Sequence, residues 1–384
     1  AALTKIPGLR LDLGYIYIQP ELSMNNGNLD VDRLSGIYTG VTLPKKIFEQ
    51  TLAVSLSFFL PDDRLTRIRS LPQRQPRFVL FDNRPQRVVI ITSAAWEPIE
   101  GLSIGAGLTY LTNTRGTVDI DGTFSLDPDE NTLFGGIDVG FESVRYPTAA
   151  IHWDISRNLS LGFTFRDSFE LDLDLTVDAN AQVLGNAINL VLSSLNTNLF
   201  SPRQISAGFQ YKEDTWLVTA DLTWLQWSKF KATASVISID LERAEDSSSS
   251  SEAAFPVPAV EDIVEPEFHD ILIARAGLEN EIIKNENIRI LSRVGYFYEP
   301  TPAPDQTGIT NYADSNKHGA SIGLGLELLD LKPILELPLE IDWVFQAIWL
   351  ESREYHKDNP ADPIGDYRIH GVILGSSLTV GVQF

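Results

Sequence analysis

The residue types that usually carry chemistry in proteins are few and scattered in this sequence. It contains no cysteine, which rules out a structural disulfide, a thiolate metal site and a cysteine nucleophile. The five histidines lie apart and lack the spacing of metal ligands; they are His152, His269, His318, His356 and His370. A Ser–His pair using His152 or His370 stays open, because neighbours in space cannot be read from the sequence. We expect no enzyme and no cofactor.

Charged side chains occur at alternate positions of otherwise apolar segments. They are Arg10, Asp12, Arg166, Asp221, Arg275, Arg289, Arg293, Glu327, Glu340 and Asp342. If these segments are strands, alternate residues share one face, and these charges point into a common interior. Structural ion pairs are the favoured interpretation. In the alternative, Arg289 and Arg293 hold the carboxylate of an anionic ligand, a task that suits a guanidinium.

The last strand of the chain shows which element positions these charges. Counting back from Phe384, every second residue to Val372 is apolar except Ser376, while the intervening residues are small or polar except Ile373. Alternation over about fourteen residues fits a tilted strand that crosses a bilayer. A terminal aromatic residue is typical of bacterial outer-membrane proteins, and no run of eighteen apolar residues predicts a helical span. The sequence therefore predicts a transmembrane antiparallel β-barrel of the bacterial outer membrane.

The same alternation predicts about fourteen strands, which form a single barrel domain over residues 1–384. Short turns alternate with long loops, and we place the turns in the periplasm and the loops outside the cell. The long loops are about 61–86, 119–138, 179–200, 232–269, 300–317 and 353–366. The net charge of −22 excludes nucleic acid as a partner, because phosphate would be repelled. Outer-membrane lipid and lipopolysaccharide are the expected surroundings.

One loop segment is apolar and has helical spacing, which predicts a hydrophobic helix over 183–195. It could pack on itself over the barrel mouth, or it could capture a hydrophobic ligand. The ligand-binding interpretation rests on Val183, Leu184, Ile188, Leu190, Val191, Leu192 and Leu195. Because the segment holds no cation, it favours neutral cargo or a head group left in water. The following loop, around Ser247–Ser251, is acidic and could contact a protein partner.

Two sequence patches resemble the FadL-type long-chain fatty-acid and hydrophobic-compound transporters of the outer membrane. The first is Trp216–Phe230, WLVTADLTWLQWSKF, and the second is Arg293–Asp305, RVGYFYEPTPAPD. The resemblance implies a fourteen-stranded barrel, an N-terminal hatch, ligand capture at outer loops and lateral release near a kinked third strand. The chain begins where the hatch would end, so we expect the hatch to be absent from it. Leu60 and Pro61 are the candidates for the lateral gate.

The expected function is passive uptake of hydrophobic small molecules, such as long-chain fatty acids or similar compounds, through the outer membrane. The alternative is a FadL-like barrel that docks proteins as a subunit of an envelope or secretion assembly. A general porin is a third class, which would require a water-filled lumen without an apolar pocket.

Overall fold

The computed structural model describes most of the chain. The described residues are 1–25, 27–29, 31–63, 74–82, 87–124, 131–183, 186–231, 236–243, 264–330, 337–359 and 362–384. The strands are β1 (Arg10–Met24), β2 (Gly27–Asn28), β3 (Leu34–Ile47), β4 (Gln50–Pro61), β5 (Val89–Ile99), β6 (Leu102–Phe124), β7 (Thr132–Asp154), β8 (Leu159–Arg166), β9 (Phe169–Val183), β10 (Asn186–Ser201), β11 (Gln204–Glu213), β12 (Trp216–Leu225), β13 (Val236–Arg243), β14 (Ile271–Lys284), β15 (Ile288–Glu299), β16 (Lys317–Leu328), β17 (Leu339–Tyr355) and β18 (Tyr367–Gln383); the helix α1 is Val79–Asp82.

Fourteen of these strands form a closed antiparallel β-barrel, which confirms the predicted fold class. The wall runs in the order β1, β3 to β8, β11, β12 and β14 to β18, and it closes where β18 pairs with β1. That last ladder runs from Arg10 opposite Gln383 to Met24 opposite Ile369. Closure pairs the edge strands with each other, so no edge strand is left in the wall.

The two faces of the wall follow the alternation in the sequence. On β1 the side chains of Leu11, Leu13 and Tyr15 are exposed outside, with Leu13 57% exposed, while Gly14 faces inward and is buried. On β18 the small residues Gly375 and Gly381 face the lumen. The terminal strand is therefore two-faced as predicted, with its apolar face outward.

The ends of the barrel differ. The "short-turn end" carries the turns that join β3 to β4, β5 to β6 and β11 to β12, and the "long-loop end" lies opposite. Within the described part of the chain, no helix is both long and apolar enough to cross a membrane.

The structure corrects two expectations at the long-loop end. Val183 belongs to β9 and Asn186–Leu195 belong to β10, so these residues form strands and not the predicted helix; Leu184 and Gly185 lie outside the described residues. The hairpin of β6 and β7 extends to Phe124 and begins again at Thr132, inside the segment 119–138 that we predicted as loop. In this region β9 pairs in parallel with β6 and β10 pairs with β13, above the wall. The serine run Ser247–Ser251 of the acidic loop lies outside the described residues.

Candidate functional site

A short inserted segment divides the lumen near the long-loop end. We call residues 74–82, which end in α1, the plug segment. Its backbone is held by hydrogen bonds from Arg77 N to Asn311 O, 3.2 Å, and from Ala313 N to Arg77 O, 2.8 Å. Two of its side chains are buried in separate hydrophobic clusters. Phe78 packs with residues of β1 and β18, while Leu80 packs with residues of β12 and β14. The plug segment therefore spans the barrel from one wall to the other.

An apolar cavity lies between the plug segment and the wall. This "wall cavity", about 330 Å³ in volume, opens beside β1, β16, β17 and β18. Its apolar lining comes from Ile16, Ile18, Phe81, Ile348 and Ile373, with Val344 below them. Apolar clefts with a few polar groups are the usual form of small-molecule sites. The cavity is thus suited to a hydrophobic molecule.

The polar lining of the wall cavity offers little to an anion. It comprises Ser321, Gln346, Ser376 and Ser377 from the wall, and Asp32 and Arg33 near the long-loop end. The guanidinium of Arg33 lies 4.0 Å from Asp63, and Asp32 brings a second carboxylate to the same rim. Because the carboxylates of Asp32 and Asp63 lie beside the Arg33 guanidinium, the carboxylate head group of a ligand would be repelled at this rim.

Two further cavities occupy the opposite half of the lumen. The "loop-end cavity", about 390 Å³, is lined by Leu80, Phe169 and Arg166, among others. The "lower cavity", about 430 Å³, is lined by Tyr146, Thr148 and Arg166, and its floor includes Leu3 of the N-terminal turn. Arg166 lines both, so the two cavities are neighbours in the lumen.

The floor of the lower cavity is the first turn of the chain. Thr4 Oγ1 lies 2.7 Å from Ser103 Oγ in a buried hydrogen bond. Lys5 Nζ lies 2.8 Å from Glu97 Oε1 and 2.8 Å from Asp154 Oδ2. The turn Ala2–Lys5 is therefore attached inside the short-turn end by a hydroxyl contact and a double ion pair.

Most of the predicted lumen charges form ion pairs along one half of the wall, some of them with Glu279 and Glu281, which the alternation did not single out. Arg293 contacts Glu279, at 2.6 Å, and Asp342. Arg289 contacts Glu281 and, at 2.9 Å, Glu327. The same pattern continues in the ion pairs Arg275–Asp221, 3.0 Å, and Arg10–Glu340, 2.7 Å. Each of Arg289 and Arg293 meets two carboxylates, which matches the ion-pair interpretation of the sequence; their role in holding an anionic ligand stays a prediction.

From β3 to β8 the wall is different, because lumen-facing positions between the two ends are mostly small and neutral. Examples are Thr42 and Ser55, whose hydroxyl oxygens lie 3.0 Å apart, and Ser93, Gly107 and Thr148 around the lower cavity. The lumen thus has a charged side and a neutral side.

The comparisons with known proteins agree with this architecture. No family model matches the chain. Alkane uptake protein A of Marinobacter nauticus is 23% identical over 381 residues, which cover 92% of this chain and 78% of that protein. A FadL homologue of Pseudomonas aeruginosa superposes with a TM-score of 0.59 at 13% identity, covering 100% of this chain and 92% of the other. The resemblance to the FadL-type transporters is confirmed.

A second structure extends the comparison. The toluene transporter TodX of P. putida superposes with a TM-score of 0.54 at 11% identity, covering 100% of this chain and 92% of TodX. Both superpositions extend over the length of the chain, which supports a shared barrel fold.

The sequence patches that carried the resemblance pack together above the lumen of the barrel. Trp227 and Phe230, in the turn after β12, are each 6% exposed and pack with Phe200 and Phe268. The rings of Phe230 and Phe268 are stacked with centroids 4.4 Å apart. In the second patch, Ala303 is 1% exposed and joins the same cluster. The motif residues therefore close the barrel mouth around the plug segment.

A buried acid fixes the loop that holds the plug segment. Asp314 is fully buried, and it accepts hydrogen bonds from Thr301 Oγ1 at 2.6 Å and from Lys317 Nζ at 3.1 Å. Burial raises the pKa of Asp314, and the ion pair with Lys317 opposes that rise. The sequence analysis missed this network and the plug segment. The apolar run Phe78–Phe81 inside a polar loop was the available signal.

The remaining predicted site residues do not come together in one place. The hairpin residues Val183 and Ile188–Leu195 belong to β9 and β10 above the wall, and their role in ligand capture stays a prediction. Leu60 is 50% exposed on the outside of β4. The ladder with β3 continues without interruption to Pro61, and the ladder with β5 continues to Phe59. Leu60 and Pro61 therefore pair with β3 but lie beyond the end of the β5 ladder among the described residues, and a gate at Leu60 and Pro61 stays a prediction.

Proposed function

We propose that this FadL-type barrel is an outer-membrane channel for passive uptake of neutral hydrophobic small molecules. The observation that carries the proposal is the apolar wall cavity between β1, β17, β18 and Phe81 of the plug segment. Its relative in Marinobacter nauticus bears the name of an alkane uptake protein. The outer surface of the barrel, with exposed residues such as Leu13, Val294 and Ile322, suits surrounding lipid.

The residues that line the wall cavity indicate which class of cargo it binds. Burial of an alkyl chain contributes about 0.8 kcal/mol per methylene, so ten methylenes contribute about 8 kcal/mol before the cost of association. The carboxylates at the rim disfavour an acid, so the cargo is an alkane or a similar uncharged hydrocarbon rather than a free fatty acid. Movement runs down a concentration gradient, with capture at the long-loop end and release through the side of the barrel.

The test is a binding measurement on protein purified in mild detergent. Labelled alkane and fatty acid of equal chain length are compared by equilibrium binding, and the purified material is analysed by mass spectrometry for lipids and co-purifying polypeptides. We expect saturable binding of the alkane that is at least tenfold tighter than binding of the acid.

Three outcomes contradict the proposal. Absence of saturable binding removes the wall cavity as a ligand site. A stoichiometric protein partner without ligand supports the docking role that the sequence left open. A large salt-dependent ion conductance in a planar bilayer supports a general porin.

A further inference from the structure

Phe81 of the plug segment stands between two cavities of the lumen. Its side chain lines the wall cavity, whereas the two preceding residues, Val79 and Leu80, line the loop-end cavity. Phe81 packs against both hydrophobic clusters that hold the plug segment, the one that contains Leu80 and the one that contains Phe78. The Phe81 ring therefore lies at the boundary between the two cavities near the long-loop end.

A buried cation fixes the position of this ring. Lys317 Nζ lies 5.8 Å from the centre of the Phe81 ring, which is a cation–π distance. The ammonium is itself held by two carboxylates, at 3.0 Å from Asp314 Oδ1 and 3.3 Å from Glu299 Oε1. Because the Lys317 side chain is only 4% exposed, salt screens these contacts little. Phe81 is therefore held from the wall side, in addition to the hydrogen bond from its N to Phe78 O, 2.8 Å.

A second ring separates the cavities along the wall. Glu299, at the end of β15, lines the loop-end cavity, and Ser321 of β16 lines the wall cavity. The two strands are paired, and Phe297 lies opposite Gly319 between these two positions. A Cβ atom on Gly319 would overlap the Phe297 ring, so the ring lies directly over this glycine. Phe297 therefore divides the cavities at the wall, as Phe81 does at the plug segment.

We propose that Phe81 sets the length of linear hydrocarbon that the barrel holds. With the ring in place, the cargo fills the wall cavity alone, about 330 Å³. Without the ring, the chain extends into the loop-end cavity, about 390 Å³, so that the room for cargo more than doubles. Apolar side chains line that extension, among them Leu80, Phe200 and Ile273. The inference rests on the proposed uptake function and adds a length limit to its cargo.

Binding of a short and a long alkane to matched variants tests the limit. Phe81→Ala removes the ring, Phe81→Leu keeps most of its bulk, and Val79→Ala shortens a plug side chain that lines the loop-end cavity. Equilibrium binding of labelled octane and hexadecane is measured on each purified protein in the same detergent. The ratio of the variant Kd to the unmodified Kd is compared at the two lengths, because partitioning of alkane into detergent cancels in that ratio.

We expect F81A to bind octane up to about threefold more weakly, because a contact is lost, and hexadecane at least about tenfold more tightly, because each newly buried methylene lowers Kd by about fourfold. F81L and V79A should stay within about threefold of the unmodified protein at both lengths. Equal Kd ratios of F81A for octane and hexadecane overturn the proposal, and so does an equal gain for hexadecane in V79A. If the unmodified protein binds neither alkane, the proposed function fails instead.

Diffraction gives a second readout that does not depend on affinity. Crystals are soaked with hexadecane brominated at both ends, and anomalous scattering locates the bromine atoms. In F81A we expect one bromine in the wall cavity and one in the loop-end cavity. A single chain with its bromines in these two cavities of the unmodified protein overturns the partition, and an F81A loop-end cavity without bromine overturns the extension.

The plug segment must stay docked for these results to report on the ring. Hydrogen exchange of the Ala313 amide, which donates to Arg77 O at 2.8 Å, measures docking in each variant. If this amide loses its protection in F81A, the smaller change Phe81→Val takes its place in both experiments, with the same expected and contradicting outcomes.

Discussion

Filling the wall cavity with a side chain should expel cargo without disturbing the barrel. Gly375 lines this cavity on β18. A Cβ atom built at this position would lie 3.6 Å from Ile18 Cγ1 and 3.8 Å from Tyr17 O. These are ordinary van der Waals distances, so the wall accepts a side chain here. The substitution Gly375→Leu therefore directs a four-carbon side chain into space that we assign to ligand.

The expected loss of affinity follows from the methylenes displaced. A leucine side chain occupies the room of about three methylenes of the cargo, and each contributes about 0.8 kcal/mol. The loss is then about 2.4 kcal/mol, which corresponds to roughly 50-fold in Kd, since 1.4 kcal/mol is a factor of ten. Equilibrium binding of labelled alkane to the purified variant measures it.

Gly162→Leu is the matched control. Gly162 also faces the lumen, on β8, and a Cβ atom there would meet nothing within 4 Å. It lies on the opposite side of the barrel from the wall cavity, so G162L should bind alkane with unchanged Kd. Wild-type affinity in G375L, with its melting temperature unchanged, would refute the assignment of the wall cavity as the binding site.

Two other changes separate stability from binding. Arg293→Ala leaves the carboxylates of Glu279 and Asp342 facing each other in the lumen. Since these groups are partly exposed, we expect the free energy of unfolding, measured with denaturant, to fall by about 1–3 kcal/mol while alkane affinity is unchanged. A tenfold weaker affinity would instead give Arg293 a ligand role. At the long-loop end, the hydrogen bond with Asp366 raises the pKa of His356 above its ordinary value of 6.5. The contribution of this contact is fully present below pH 6.5 and is lost as pH rises through the raised pKa. Hydrogen exchange of the 356–366 loop, corrected for intrinsic rates, should therefore become faster as pH rises. His356→Gln should remove this pH dependence. Identical pH profiles for the unmodified protein and the variant would show that the contact does not titrate.

The alternation along the strands predicted the wall because its physical cause is local. Each of the fourteen wall strands must present one face outside and one to the lumen, so the pattern is found in consecutive residues. The same alternation identified the inward charges. It did not identify their partners, because the contact between Arg293 and Asp342 joins β15 to β17 across β16.

The segment 183–195 was misinterpreted because its apolar residues satisfy two periods. Ile188, Leu190 and Leu192 alternate as in a strand, whereas Ile188, Val191, Leu192 and Leu195 have helical spacing. The structure resolves the ambiguity through pairing with Ala179–Ala181 of β9, a tertiary contact that no local rule contains. Strand pairing therefore overrides helical periodicity here.

The candidate site was less predictable than the fold, because its parts come from distant positions. The wall cavity joins Ile16 of β1 with Ile348 and Ile373 near the end of the chain, and these residues meet only when the barrel closes. Such features require the register of the strands, which alternation alone leaves undetermined.

The double anchoring of the plug segment links its docking to the order of barrel assembly. Phe78 is buried with Leu22 of β1 and Ile369 of β18, the first and last strands of the wall. Leu80 is buried with residues of β12 and β14, from the middle of the chain. Joining strands so distant in sequence carries the largest loop-closure entropy of any pair in the wall. The pocket for Phe78 does not exist until that seam has formed. Burial of the Phe78 ring therefore marks the completion of folding. In a barrel whose β1 and β18 have not yet paired, the plug segment is not docked and the long-loop end is open.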